Sequence, residues 1–164
     1  MIDSKMLMTV FKGSSAEQLI KFENEFDILI LPNDKVKDSE KLIDVIADGA
    51  YDCVLSFGQR PNIKNKVHIE TTAKKVESAI KTNFDCKTLQ SSFESNGISA
   101  KISHNAGTSY CNSLYYNVLD FIQQYNLKTK MVFVHIPFLK NINDIDSFFV
   151  KIIETISRMN KESI

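Results

Sequence analysis

Short apolar runs alternate with longer segments of helical period along almost the whole chain, and this alternation limits the fold more than any other feature. The runs Lys5–Phe11 (KMLMTVF), Asp27–Leu31 (DILIL), Asp52–Phe57 (DCVLSF), Lys66–Glu70, Ser99–Ser103 (SAKIS) and Met131–His135 have the length and composition of strands. Pro32 stops the second run, and Gly58-Gln59-Arg60-Pro61 ends the third. Between them, Ser14-Ser15-Ala16-Glu17 offers a cap and an acidic first turn for a helix to about Glu25. Asp38–Ala50 sets Leu42, Ile43, Val45, Ile46 and Ala50 broadly on one helical face. Further helices are expected over Asp85–Asn96, with Gly97 as its left-handed terminator, over Asn112–Tyr125 and over Asp144–Met159. Thr71–Lys81 reads as a turn or the start of a helix. Parallel strands need crossovers of this kind, and right-handed ones cover both faces of a sheet. The expectation is therefore an α/β chain: a three-layer α/β/α sandwich with a mostly parallel central sheet, one domain over residues 1–164.

Charge and cysteine usage exclude several classes of function. Lys+Arg and Asp+Glu are both 20, so no net charge draws a polyanion or an anionic membrane, and no basic stripe with interleaved aromatics favours nucleic acid. Cys53, Cys86 and Cys111 are an odd set without Cys-x-x-Cys spacing, which argues against a disulfide framework or a cysteine-rich zinc site. The start, Met1-Ile2-Asp3-Ser4-Lys5-Met6, lacks the layout of a secretory signal, and no apolar run approaches the roughly 18 residues of a membrane span. A reducing cytoplasm, without cofactor or metal, is the expected setting.

One cysteine stands apart. Ser103-His104-Asn105-Ala106-Gly107-Thr108-Ser109-Tyr110-Cys111-Asn112 is a small-residue loop that delivers Cys111 to the start of an amphipathic segment, marked by Leu114, Tyr115, Val118, Leu119 and Ile122. A helix N-terminus stabilises a thiolate and offers free N–H groups to an oxyanion. The plain alternative is a buried structural cysteine. His135 leaves the sheet where Val132-Phe133-Val134 ends, able to reach a neighbouring loop as a general base, or else to serve as a core histidine bonded to backbone. His68 and His104 compete with it, and His104 adjoins the cysteine loop. Glu70 is the candidate carboxylate that would fix the imidazole tautomer. Cys53, in an apolar strand, and Cys86, in an expected helix, read as structural.

Taken together, these segments resemble the pyroglutamyl peptidase type I (pyrrolidone-carboxylate peptidase) family. The matching elements are Ala106-Gly107-Thr108-Ser109-Tyr110-Cys111-Asn112, Phe133-Val134-His135-Ile136-Pro137, Gly58-Gln59 and Glu70-Thr71-Thr72-Ala73, with Gly97–Ser103 as the strand leading into the cysteine loop. The resemblance implies Cys111 as nucleophile, His135 as general base and acid, and Glu70 as orienting carboxylate. It also implies a peptide with a blocked N-terminus as the partner, and self-association. Phe11 and Tyr110 would wall a small apolar ring, and backbone groups of Gln59 would bind its lactam.

Two departures from the family pattern bear on specificity. Where the family opens with Thr-Gly-Phe-x-Pro-Phe and a glycine-rich loop containing Asn-Pro-Ser, this chain has Thr9-Val10-Phe11-Lys12-Gly13-Ser14-Ser15. The family's extended segment with Asp-x-Arg, after its Glu-x-x-Ala, is missing between Ala73 and Asp85. Cysteine hydrolase chemistry carries over better than pyroglutamate specificity. The alternatives are a hydrolase of another N-terminal amide, or a non-catalytic relative that binds a small ligand or partner.

Overall fold

The computed structural model describes residues 5–22 and 25–161. Its strands are β1 (Met6–Phe11), β2 (Asp27–Leu31), β3 (Cys53–Arg60), β4 (Lys66–Glu70), β5 (Thr72–Lys75), β6 (Ser78–Lys81), β7 (Ser99–Ser103) and β8 (Lys130–Pro137). Its α-helices are α1 (Leu19–Phe22, after a 3-10 turn over Ser15–Gln18), α2 (Lys37–Ile46), α3 (Cys86–Ser95), α4 (Tyr110–Gln124) and α5 (Ile145–Lys161). Six strands form one sheet in the order β2-β1-β3-β8-β4-β7, while β5 and β6 make a separate antiparallel hairpin.

Side chains alternate across the sheet into two apolar layers. Met6, Met8, Val10, Leu55, Phe57, Val132, Val134 and Ile136 pack on the side of α1, α3 and α5, against Leu19, Leu89, Phe93, Phe149, Ile152 and Ile156. Leu7, Phe11, Val54, Met131 and Phe133 pack on the other side, against Leu42 and Ile46 of α2 and Tyr115, Val118 and Leu119 of α4. The three expected layers are therefore present. β1 is buried along its whole length, as a strand covered on both faces must be. Within the second layer Thr9 and Ser56, register partners of β1 and β3, satisfy each other's hydroxyls at 2.7 Å.

The sheet is mostly parallel, with one reversal that decides the site. β2, β1, β3 and β8 run together, whereas β4 pairs antiparallel with β8, and β7 follows β4. Only residues 61–65 join β3 to β4. A parallel crossover needs about a dozen residues or more, so this short link turns the chain straight back. Cys111 and Glu70 consequently follow strands that run opposite to the one carrying His135. Ligand sites of open parallel sheets lie beyond the carboxyl ends of the strands, which would set Gly58-Gln59, the loop before Cys111 and His135 on one rim; instead β7, which leads into the Cys111 loop, runs opposite to β3 and β8.

Other boundaries shift for local reasons. β3 does not end at Gly58: Gly58, Gln59 and Arg60 continue the ladder opposite His135, Ile136 and Pro137. α2 stops at Ile46 rather than Ala50, with Gly49 at φ +72° in the turn that follows. α3 keeps its expected limits. Asp85 caps its start through the Thr88 N–H (3.1 Å), and Gly97 at φ +82° ends it, with Ile98 N–H bonded to Phe93 O at 2.9 Å. Thr71–Lys81 is neither simple turn nor helix but the β5–β6 hairpin. Below Glu70 this hairpin and the residues after it border β8: Asn83 accepts from Met131 N–H at 3.2 Å, and Thr82 Oγ1 donates to Met131 O. The helix expected to reach Glu25 ends at Phe22 among the described residues; residues 23–24 lie outside them.

Candidate active site

Glu70 is the last residue of β4, completely buried and on the α4 side of the sheet. Its Oε1 accepts from His135 Nδ1 at 2.9 Å and from Arg60 Nη1 at 3.1 Å. A histidine that donates through Nδ1 keeps Nε2 as the acceptor, which is the tautomer a general base needs. His135 is 2% exposed, and its ring lies 5.0 Å from that of Phe133, tilted by 52°. It stands opposite Gly58 in the β3–β8 register.

Cys111 is the second residue of α4. The helix begins two residues earlier than its apolar periodicity alone suggests, so the thiol lies within the first turn. Ser109, the extended N-cap at φ −87°, makes no side-chain cap bond, leaving the first N–H groups without intrahelical acceptors. The sulfur sits directly over Gly58: a Cβ built there would lie 2.7 Å from Cys111 Sγ and 2.8 Å from Phe133 Cζ. Since Gly58 is His135's cross-strand partner, sulfur and imidazole occupy one patch of the same sheet face. Among the described residues the two are not hydrogen-bonded to each other. Burial pushes the Cys111 thiol up to about 11, against smaller opposing effects of the Ser109 hydroxyl, its own N–H and Arg60. Cys53 and Cys86 are raised likewise by burial, to about 12 and about 11.

The competing histidines are placed elsewhere. His104 turns its Nδ1 to Thr71 Oγ1 at 2.6 Å and is exposed. His68 faces His135 across β4 and β8, but its Nε2 is buried without a partner and burial lowers its pKa. His135 alone of the three meets Glu70. The carboxylate's other oxygen, Oε2, is buried and unpartnered. Among the described residues no group of three or more His, Cys, Asp or Glu converges as a metal site would require.

The remaining expected site residues are spread around this centre. Phe11, at the end of β1, is buried with its ring 6.3 Å from Phe133, so it forms part of the floor that supports His135. Tyr110 is 45% exposed at the start of α4. Gln59 alternates to the opposite face, where its Oε1 accepts from Ser15 N–H at 2.9 Å; only its backbone stays at the rim. Ser15 in turn donates to Pro137 O at 2.7 Å, which latches the β1–α1 turn over the ends of β3 and β8.

Three contributors were not anticipated. Arg60 reads from the sequence as a turn residue, yet its even position in an extended β3 puts it on the Gly58 face, 29% exposed at its side chain. Tyr115 OH donates to Glu70 O at 2.8 Å, tying α4 to the end of β4. Asn112 exchanges two bonds with the Lys74 backbone, at 2.9 and 2.7 Å, and so pins the hairpin beside the cysteine.

The family model for pyroglutamyl peptidase matches residues 1–150. Pyrrolidone-carboxylate peptidase of Fusobacterium nucleatum is 32% identical, over 71% of this chain and 64% of that protein. The protein of the same name from Thermosipho melanesiensis is 31% identical, over 82% of this chain and 65% of its own length. The chain thus spans a little under two thirds of these curated relatives. In fold it is similar to pyroglutamyl peptidase I of Bacillus amyloliquefaciens (TM-score 0.82, 18% identity, 97% of each chain). It is similar also to pyrrolidone carboxyl peptidase from Thermococcus litoralis (TM-score 0.74, 17% identity, 98% of this chain and 96% of that one). The chain belongs to the pyroglutamyl peptidase family.

Proposed function

We propose that this protein is a cysteine exopeptidase that removes an N-terminal pyroglutamyl (5-oxoproline) group from peptides, with Cys111, His135 and Glu70 as its working residues. The observation that carries the reading is the buried Glu70–His135 pair at 2.9 Å on the face where the Cys111 sulfur rests above Gly58. Because burial holds the thiol protonated at neutral pH, attack is coupled to proton transfer. Cys111 Sγ bonds to the carbonyl carbon of the pyroglutamyl amide as its proton passes to His135 Nε2. The first N–H groups of α4 face the developing oxyanion, an effect commonly worth about 3–4 kcal/mol per donor. His135 then gives the proton to the leaving amine as the C–N bond breaks. Water, deprotonated by the same imidazole, hydrolyses the thioester and restores the thiol. Glu70 remains ionised and holds the ring.

Phe11 and Tyr110, with the Gln59 backbone, are proposed to hold the ring. A reducing cytoplasmic address fits three cysteines that are all free; among the described residues no helix is long and apolar enough to cross a membrane. The short Lys12–Ser14 connection and the Gln59 side chain, turned to the other face of the sheet, favour one second reading, the same chemistry on another N-terminal amide. Release of a fluorophore from a pyroglutamyl amide, set beside a panel of aminoacyl amides, tests both. The proposal expects hydrolysis of the pyroglutamyl compound and none by Cys111→Ala; native turnover by that variant would refute it.

A further inference from the structure

Arg60 closes β3 opposite Pro137, and a single nitrogen of its guanidinium serves two acceptors. Nη1 lies 3.1 Å from Glu70 Oε1 and 2.9 Å from the carbonyl oxygen of Asn105. The first acceptor is the same oxygen that receives His135 Nδ1. The second belongs to the loop between β7 and α4 that ends on Cys111, and the Ser103 hydroxyl also donates to it, at 3.3 Å. Glu70 is completely buried, and an ionised carboxylate removed from water needs a permanent counter-charge. His135 cannot supply one throughout a cycle in which it is neutral half the time. A guanidinium can, since it never deprotonates.

We infer that Arg60 is a positioning residue for the proposed reaction: its guanidinium offsets the Glu70 charge beside the sulfur while His135 is neutral, and clamps the Asn105 loop so that the sulfur stays over Gly58. The inference rests on the hydrolase reading of Cys111. The charged and titratable groups within electrostatic reach of this carboxylate are Arg60 from β3, His135 from β8, His68 from β4, Cys111 and Tyr115 from α4, and Cys86 from α3. Lys66 and Lys101 act on His68 from farther out. Arg60 is the one permanent cation bonded to Glu70. Without it, Glu70 opposes the thiolate unscreened, so the acid limb of activity moves to higher pH.

The test uses Arg60→Met and Arg60→Lys in the full chain, assayed with a pyroglutamyl aminocoumarin amide across pH, with alkylation of Cys111 by iodoacetamide followed by mass spectrometry. Arg60→Met is expected to lower kcat by about tenfold to a hundredfold, with KM nearly unchanged and the acid limb moved upward. Its Cys111 should be alkylated several-fold more slowly at pH 8. Arg60→Lys restores the limb and the alkylation rate but only part of kcat, because one ammonium on a flexible stem does not reproduce the fork. A native pH profile and alkylation rate in Arg60→Met overturn the inference, as does lowered kcat with both unchanged, the mark of a merely structural role. Should Arg60→Met fail to fold, Arg60→Lys decides alone: native kcat with a displaced acid limb refutes the role. If the wild type releases nothing from the pyroglutamyl amide, that substrate assignment falls, whereas the alkylation rates, needing no substrate, still decide for or against Arg60.

Discussion

Gly58 and Cys111 are in such close approach that no side chain fits between them: a Cβ on the glycine would meet the sulfur at 2.7 Å. The glycine lies within β3 and does not need a left-handed backbone, so its role is space. Gly58→Ala would push both Cys111 Sγ and the Phe133 ring, at 2.8 Å, out of place. Overpacking of this kind costs about 1–3 kcal/mol. The expected result is a folded protein with a lowered unfolding midpoint and a larger proportional loss of activity, because the displaced atom is the nucleophile. Denaturant titration beside an amidase assay measures both. Native activity with lowered stability would mean that the sulfur does not work from this seat.

Glu70→Gln keeps the shape of the side chain and removes its charge. The amide can still meet His135 Nδ1, but by offering either an acceptor or a donor, and it no longer supports an imidazolium. For the proposed mechanism kcat falls by about 10²–10⁴, with a circular-dichroism spectrum like that of the wild type. A fall of less than threefold would remove Glu70 from the reaction and leave it a structural partner of Arg60.

Asn112 predicts the opposite balance, a change in local order ahead of chemistry. Its side-chain amide bonds the Lys74 backbone twice, at 2.9 and 2.7 Å, in the manner of an added strand residue. Asn112→Ala leaves those backbone groups without these partners, at a cost of about 1–3 kcal/mol. Amide exchange over Lys74–Ile80 should quicken while that of β1 and β3 stays slow. Uniform quickening across the sheet would show that the hairpin is not an independently opening unit.

Much of this arrangement could be read from the residues, and the rest failed for identifiable reasons. Asp85 and Gly97 bracket α3 through local capping chemistry, which needs no tertiary partner, and the helix ends where these residues put it. Gly58 reads as a strand stop because glycine usually is one; its continuation in β3 depends on the sulfur above it, which only folding brings there. That one misreading hid Arg60, since a turn residue has no assigned face. The reversal of β4 has a signal that the sequence reading leaves unused: even the stretch from Gly58 to Asn65 is shorter than a parallel crossover needs. The hairpin has none. Lys74, Lys75, Glu77 and Ser78 are exposed, so no apolar alternation marks it, and it is held instead by Asn112 and by the 2.6 Å bond between Ser78 and Tyr116 hydroxyls.

The pH response of the cysteines follows from burial. Folding raises the Cys111 thiol from an ordinary value near 9 to about 11, Cys86 to about 11 and Cys53 to about 12. Below pH 9 these groups are protonated in both folded and unfolded chains and contribute nothing to the pH dependence. Between about 9 and 11–12 the unfolded chain releases protons that the folded one retains, so stability declines as pH rises through that window. The unfolding midpoint should be level in this respect up to pH 9 and fall steadily above it. Cys53→Ala is the control that removes the most strongly raised thiol; its alkaline slope should be shallower than that of the wild type. Iodoacetamide provides the companion measurement. Below its pKa the thiolate fraction of Cys111 grows about tenfold per pH unit, so the alkylation rate of the native protein should climb by about a hundredfold from pH 7 to pH 9. A rate already at its plateau by pH 7 would mean a thiolate formed in advance, and proton transfer to His135 would then precede substrate instead of accompanying attack.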